Sequence, residues 1–229
     1  MFVGLFIKFG EKENIEQLQK EGLLYCNPIE FFKNCENKEQ LDLNENATKI
    51  LQGDKCEIIF NGFKMSAENG LINTIISAPS KNSQQFTHLY CLFSRFSGDK
   101  IETDDERFFD EKLKEFGDTM LVIYNPIEFM KRLKLAIDKA YENKEFIYAE
   151  SKRVEYVDFN SYHGQLEIFR KSNKYEHQSE WRLAILREDT QQPYKLYLGS
   201  LEDISAIMPI SKCKNKITSN PDGSCTIEF

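Results

Sequence analysis

The chain has 229 residues, of which 41% are hydrophobic and 13% aromatic, and Phe alone supplies 18. That composition can bury a sizeable core and excludes a disordered chain. A formal charge of −7 argues against a broad electropositive face, so a nucleic-acid partner would need a local basic groove.

In chain order, FVGLFIKF (2–9) predicts a strand. Asn14 to Gly22 predicts a short helix with Ile15 and Leu18 on one face and Gly22 as its stop. Leu23 to Cys26 predicts a short strand. NPIEFF (27–32) then matches NPIEFM (125–130). Nothing else repeats over a longer window. Both copies read as strand-to-helix junctions in which Asn caps, Pro fills the first helical position and Glu completes a capping box. Residues 33–54 are polar and predict a long loop, a feature often tied to function. CEIIF and FKMSA around Asn61-Gly62 predict a hairpin, and residues 71–78 a further strand.

HLYCLFSRF (88–96) predicts a strand, residues 107–117 an amphipathic helix ending at Gly117, and residues 119–124 a strand. The longest helix is expected over 126–144, with Phe129, Leu133, Ile137 and Tyr141 on one stripe. RVEYVDF (153–159) alternates like a half-buried strand. WRLAIL, KLYLGSL, ISAIMPI and CTIEF complete the pattern. Helices crowd the first two-thirds and strands the end, which is an α+β order in a single domain, 1–229.

Six cysteines (Cys26, Cys35, Cys56, Cys91, Cys213 and Cys225) and three histidines (His88, His163 and His177) show no zinc spacing. MFVGLFIKFG lacks the charged start and cleavage site of a secretory leader. The thiols are therefore expected to be reduced and the protein cytoplasmic. No apolar run approaches a membrane span, and neither phosphate-binding glycine loops nor hydrolase elbows occur.

Three segments could carry chemistry. Lys8 sits near the end of the first strand, six residues before Asn14. Ser94 sits on the apolar strand 88–96. Gln178-Ser179-Glu180 opens an apolar run beside Trp181, the one tryptophan. If that triplet is extended, residues two apart share a face and Gln178 and Glu180 project together. The plain use of Glu180 is an exposed ion pair with Arg182 or Lys174. The sharper use is a catalytic carboxylate.

Taken in order, these segments resemble the three motifs of the ADP-ribosyltransferase (ART) superfamily: a basic residue ending a strand before an Asn-started helix, a Ser-bearing strand, and Gln/Glu-x-Glu at a strand start. Lys8 departs from the usual His or Arg. The pattern FGD-x-x-LVIYNP followed by a Y-x-x-Q-x-EWR strand also resembles a group of little-characterised bacterial proteins, some encoded near anti-phage or toxin–antitoxin genes. The resemblance implies a split β-sandwich of two roughly orthogonal small sheets with helices outside. It implies NAD as co-substrate, a protein or nucleic-acid acceptor, an antitoxin or chaperone partner, and no metal or membrane.

In that reading Glu180 stabilises the oxocarbenium and Gln178 orients the acceptor. Lys8 and Ser94 hold NAD, with Tyr25 and Tyr90 beside them. Asp42, Glu45 and His163 are further candidates. Two rivals stand beside it: an inactive ART-like binding or assembly module, and a hydrolase pairing Glu180 with Asp42 or Glu45.

Overall fold

The computed structural model describes residues 4–37, 39–42, 44–45, 47–66, 74–77, 86–96, 98–99, 107–188, 192–219 and 225–229. Its strands are β1 (Gly4–Gly10), β2 (Leu23–Pro28), β3 (Lys49–Gln52), β4 (Glu57–Phe60), β5 (Phe63–Ser66), β6 (Thr74–Ser77), β7 (Phe86–Phe96), β8 (Thr119–Ile123) and β9 (Tyr148–Arg153). They continue with β10 (Glu155–Val157), β11 (Gly164–Gln165), β12 (Arg170–Ser172), β13 (Glu180–Arg187), β14 (Tyr194–Tyr197), β15 (Ser205–Pro209), β16 (Lys216–Ser219) and β17 (Cys225–Glu228). The α-helices are α1 (Lys12–Glu21), α2 (Ile29–Asn34) and α3 (Pro126–Glu142). The fold is α+β with mostly antiparallel pairing; β10 and β12 pair in parallel.

Eight strands form the main sheet, and β7 is its branch point. β13 covers one edge of β7 from Phe86 to Phe93. The opposite edge is divided between two strands. β1 pairs with Phe93 to Phe96, and β2 pairs with Leu89 and His88. Among the described residues no strand pairs with Tyr90, Cys91 or Leu92 on that side. β8 and β15 extend the sheet beyond β1, β14 beyond β2, and β9 beyond β13.

The pleat sends alternate residues to two cores. Phe6, Leu121, Ile123, Leu183 and Ile185 face α1 and α3, meeting Ile15, Leu18, Phe129 and Leu133. Ile7, Phe9, Phe93, Met120 and Val122 face the other way, onto Phe108, Phe109 and Leu113. Trp181 belongs to the first core, 5.3 Å from the Phe6 ring and 6.4 Å from Phe129 between centroids.

Several predicted elements are corrected. α1 begins at Lys12, not Asn14, and its first N–H is taken by Asp118 Oδ1 at 3.0 Å. Gly22 ends it as expected, left-handed at φ 63° with its N–H on the Leu18 carbonyl. Residues 107–117 form no α-helix, only a 3-10 stretch at Glu111–Phe116. The reason is Asn215, whose Oδ1 accepts from the backbone of both Phe108 and Phe109. That holds the two buried rings outside a helical repeat.

The strand expected at 153–159 is broken at Val154: its N–H still bonds the Glu180 carbonyl of β13, whereas the next N–H, that of Glu155, goes to the Phe169 carbonyl and β10 pairs with β12. The loop expected over 33–54 ends in β3. The two NPIEF copies differ as well. Asn125 caps α3, accepting from Glu128 N at 3.1 Å. Asn27 and Pro28 instead lie in β2, paired with β7, and α2 has no side-chain cap. The β4–β5 hairpin turns through Asn61 and Gly62 at positive φ, as its sequence predicts. Residues 71–73 and 78 of the strand expected at 71–78 lie outside the described residues.

Candidate functional site

The divided edge of β7 leaves backbone groups that need partners. Lys8 follows Ile7, where β1 parts from β7. Its Nζ donates to the Cys91 carbonyl at 2.9 Å and lies 4.7 Å from the Tyr90 ring centroid. A side chain thus supplies the donor that a neighbouring strand would otherwise provide. Burial pulls the Lys8 ammonium below its ordinary pKa.

A cleft of about 750 Å³ opens here, within the size range of small-molecule sites. Lys8, Tyr25, Tyr90, Gln178 and Glu180 all line it. They come from β1, β2, β7 and the entry to β13.

Gln178 and Glu180 converge for a reason other than the expected one. Their segment is not extended. Asn173–Gln178 is a 3-10 helix, and Ser179 is left-handed at φ 39°, ψ 52°, a conformation uncommon for a non-glycine residue. Ser94 holds that turn. Its Oγ donates to the Ser179 carbonyl at 3.0 Å, its N–H does so at 2.9 Å, and Ser179 Oγ donates back to the Ser94 carbonyl at 2.8 Å. Ser94 is fully buried and is not among the residues lining the cleft. Its contact is with the turn that carries the two site residues.

The turn brings Gln178 and Glu180 onto one ammonium. Lys171 Nζ donates to Gln178 Oε1 at 2.9 Å and reaches Glu180 Oε2 at 3.4 Å. Arg182, expected as an exposed partner, is 1% exposed. Its Nε meets Glu180 Oε1 at 2.6 Å, and its Nη1 meets Glu45 Oε1 at 2.5 Å. Glu45 also lies 3.8 Å from Lys171. The floor of the cleft is therefore a buried quartet of two carboxylates and two cations.

The quartet separates its acids. Burial alone would raise Glu180, but Arg182 and Lys171 outweigh it and hold the carboxyl well below the usual range. Burial pushes Glu45 up against those same cations. Burial works against charge on Arg182 and Lys171 too, yet the carboxylates prevail and both are raised. Cys91 shares a hydrogen bond with Glu180, and burial raises its thiol well above the ordinary value. Tyr156 fixes the backbone by accepting from Glu180 N at 2.9 Å.

The polar segment before β3 is docked on this turn. Gln178 Nε2 donates to the Glu39 carbonyl at 2.7 Å, Tyr175 donates to the Leu41 carbonyl at 2.8 Å, and His177 meets Glu39 Oε2 at 2.7 Å. Asp42 is buried and accepts from Asn44 N. His163 accepts from Gln52 N at 3.1 Å, bracing β3, and is not among the lining residues. Sequence reasoning gave Lys171, Cys91 and Tyr156 no place in this site. A buried ion pair with a distant partner leaves no local signal.

No protein-family model, curated protein or solved structure matches the chain. Among the described residues, no helix is long and apolar enough to cross a membrane.

Proposed function

We propose that the protein is an NAD-dependent ADP-ribosyltransferase with an ART-like split sheet. The observation that carries this reading is the convergence of Lys8, Tyr25, Tyr90, Gln178 and Glu180 on one cleft. The division of the β7 edge supports the split architecture. The reaction breaks the bond between nicotinamide and ribose as positive charge builds on the sugar, and a carboxylate kept ionised in a buried site suits that charge. Glu180 is such a group. Gln178 beside it orients the acceptor, while Lys8, Tyr25 and Tyr90 contact NAD. Ser94 serves by holding the Ser179 turn. The acceptor is a protein or nucleic acid, and the setting a cytoplasmic toxin or defence effector with an antitoxin or chaperone partner.

The test is nicotinamide release from NAD and label transfer to lysate. Glu180→Gln is expected to lower turnover roughly 100–1,000-fold, the scale of losing one preorganised electrostatic group, with NAD binding retained. Equal turnover by variant and wild type would remove Glu180 from the chemistry.

Two features favour an inactive ART-like module instead: Glu180 already has two cationic partners and Lys8 is spent on a carbonyl. NAD binding by calorimetry with no release of nicotinamide from folded wild type would decide for that reading.

A further inference from the structure

We infer that Glu45 is a positioning residue of this site: it occupies cationic charge that would otherwise cancel Glu180. The inference rests on the transferase reading, in which positive charge develops in the cleft. Without Glu45, Arg182 and Lys171 would both bear on Glu180. The quartet would then hold two cations and one anion, beside the place where the sugar becomes cationic. Asp42 is buried nearby and adds negative charge at longer range, acting on both Lys171 and Glu45. Buried charges of this kind are poorly screened, so the balance matters.

The geometry divides Arg182 between the two acids. Glu45 takes Nη1 at 2.5 Å and Nη2 at 3.1 Å, while Glu180 takes Nε at 2.6 Å and reaches Nη2 at 3.3 Å. Lys171 is shared as well, at 3.4 Å from Glu180 and 3.8 Å from Glu45. Glu45 is more than a remote anchor, because it lines the cleft with Glu180. The segment carrying it is fastened to the catalytic turn through the Glu39 and Leu41 carbonyls. The site is thus completed by a stretch far from its motifs.

Charge balance, not mere packing, is tested by compensation. Glu45→Gln keeps the shape but leaves a positive floor. It is expected to lower kcat for nicotinamide release roughly 10–100-fold, below the effect of losing a direct stabiliser. KM for NAD should be unchanged or lower, since a positive floor attracts the diphosphate. Glu45→Asp, which keeps the charge, should lie nearer wild type. Adding Lys171→Met to Glu45→Gln removes one cation with one anion and should recover most of the lost kcat. Gln178 retains the Glu39 carbonyl as a partner in that double variant.

An unchanged kcat in Glu45→Gln, or a cooperatively melting double variant no faster than the single, overturns the inference. If Glu45→Gln fails to fold, the Asp and double variants decide: both must keep kcat within roughly tenfold of wild type, above the loss expected of an unbalanced positive floor, for the inference to stand. Wild-type protein that binds but never cleaves NAD defeats the transferase reading itself and takes this inference with it. That result is distinct from active wild type with an indifferent Glu45.

Discussion

Arg182 touches two carboxylates and the Ile168 carbonyl while almost wholly enclosed. Removing one member of a buried ion network leaves the rest desolvated and uncompensated, at a cost of about 3–5 kcal/mol. Arg182→Leu is expected to lose that much in urea unfolding, because Glu45 and Glu180 stay buried without their shared partner. A loss near 1 kcal/mol would mean that the quartet rearranges freely. The sequence gives little warning of this. Arg182 is the one charged residue of the apolar run WRLAIL and reads as an exposed partner of Glu180. Its partner Glu45 lies 137 residues away, and Lys171 sits in a polar stretch without periodicity. Lys8 and Glu180 were legible because Lys8 is the charged residue near the end of one apolar run and Glu180 opens another. Ser94 was legible as a residue type on a strand, although its contact is with Ser179 and not the cleft.

The NPIEF pair separates local propensity from tertiary context. Asn125 caps α3, and losing such a cap costs typically about 1 kcal/mol. Asn125→Ala should therefore lower stability by about that amount. Asn27→Ala, half-buried in β2, has no cap bond to lose and should stay within roughly 0.5 kcal/mol. Matched thermal melts of the two variants check the contrast, and equal losses would contradict it. The same five residues end differently because β7 offers Leu89 and His88 as partners to Asn27 and Pro28. Elements such as β7, β8 and α3 could be read from their sequence, since the two strands are nearly continuous apolar runs buried on both faces and α3 buries one stripe. The 3-10 stretch at Glu111–Phe116 could not, because Asn215, more than a hundred residues later, fixes the backbone ahead of it.

The assembly of the sheet makes stability depend on pH through His88. This residue is wholly buried where β2, β7 and β13 meet, with its ring nitrogens near the Phe86 and Gln192 carbonyls at 3.2 and 2.9 Å. Burial pulls its pKa down. The unfolded imidazole takes a proton below about 6.5, whereas the folded one resists until lower pH. Stability from this group is therefore present above about 6.5 and is lost as pH falls toward the folded value. Urea midpoints at a pH above and a pH below that value should show a decline, and His88→Gln should flatten it. The order of strands carries a kinetic consequence too. β1 lies between β7 and β8, so neither of its edges can be laddered until residues 93–96 and 119–123 have come to it. Closing such long loops costs entropy before contacts compensate. Refolding should thus be slow for a chain of this size, in the range of β-rich proteins, with the apolar Leu5–Phe9 segment exposed to self-association while it waits.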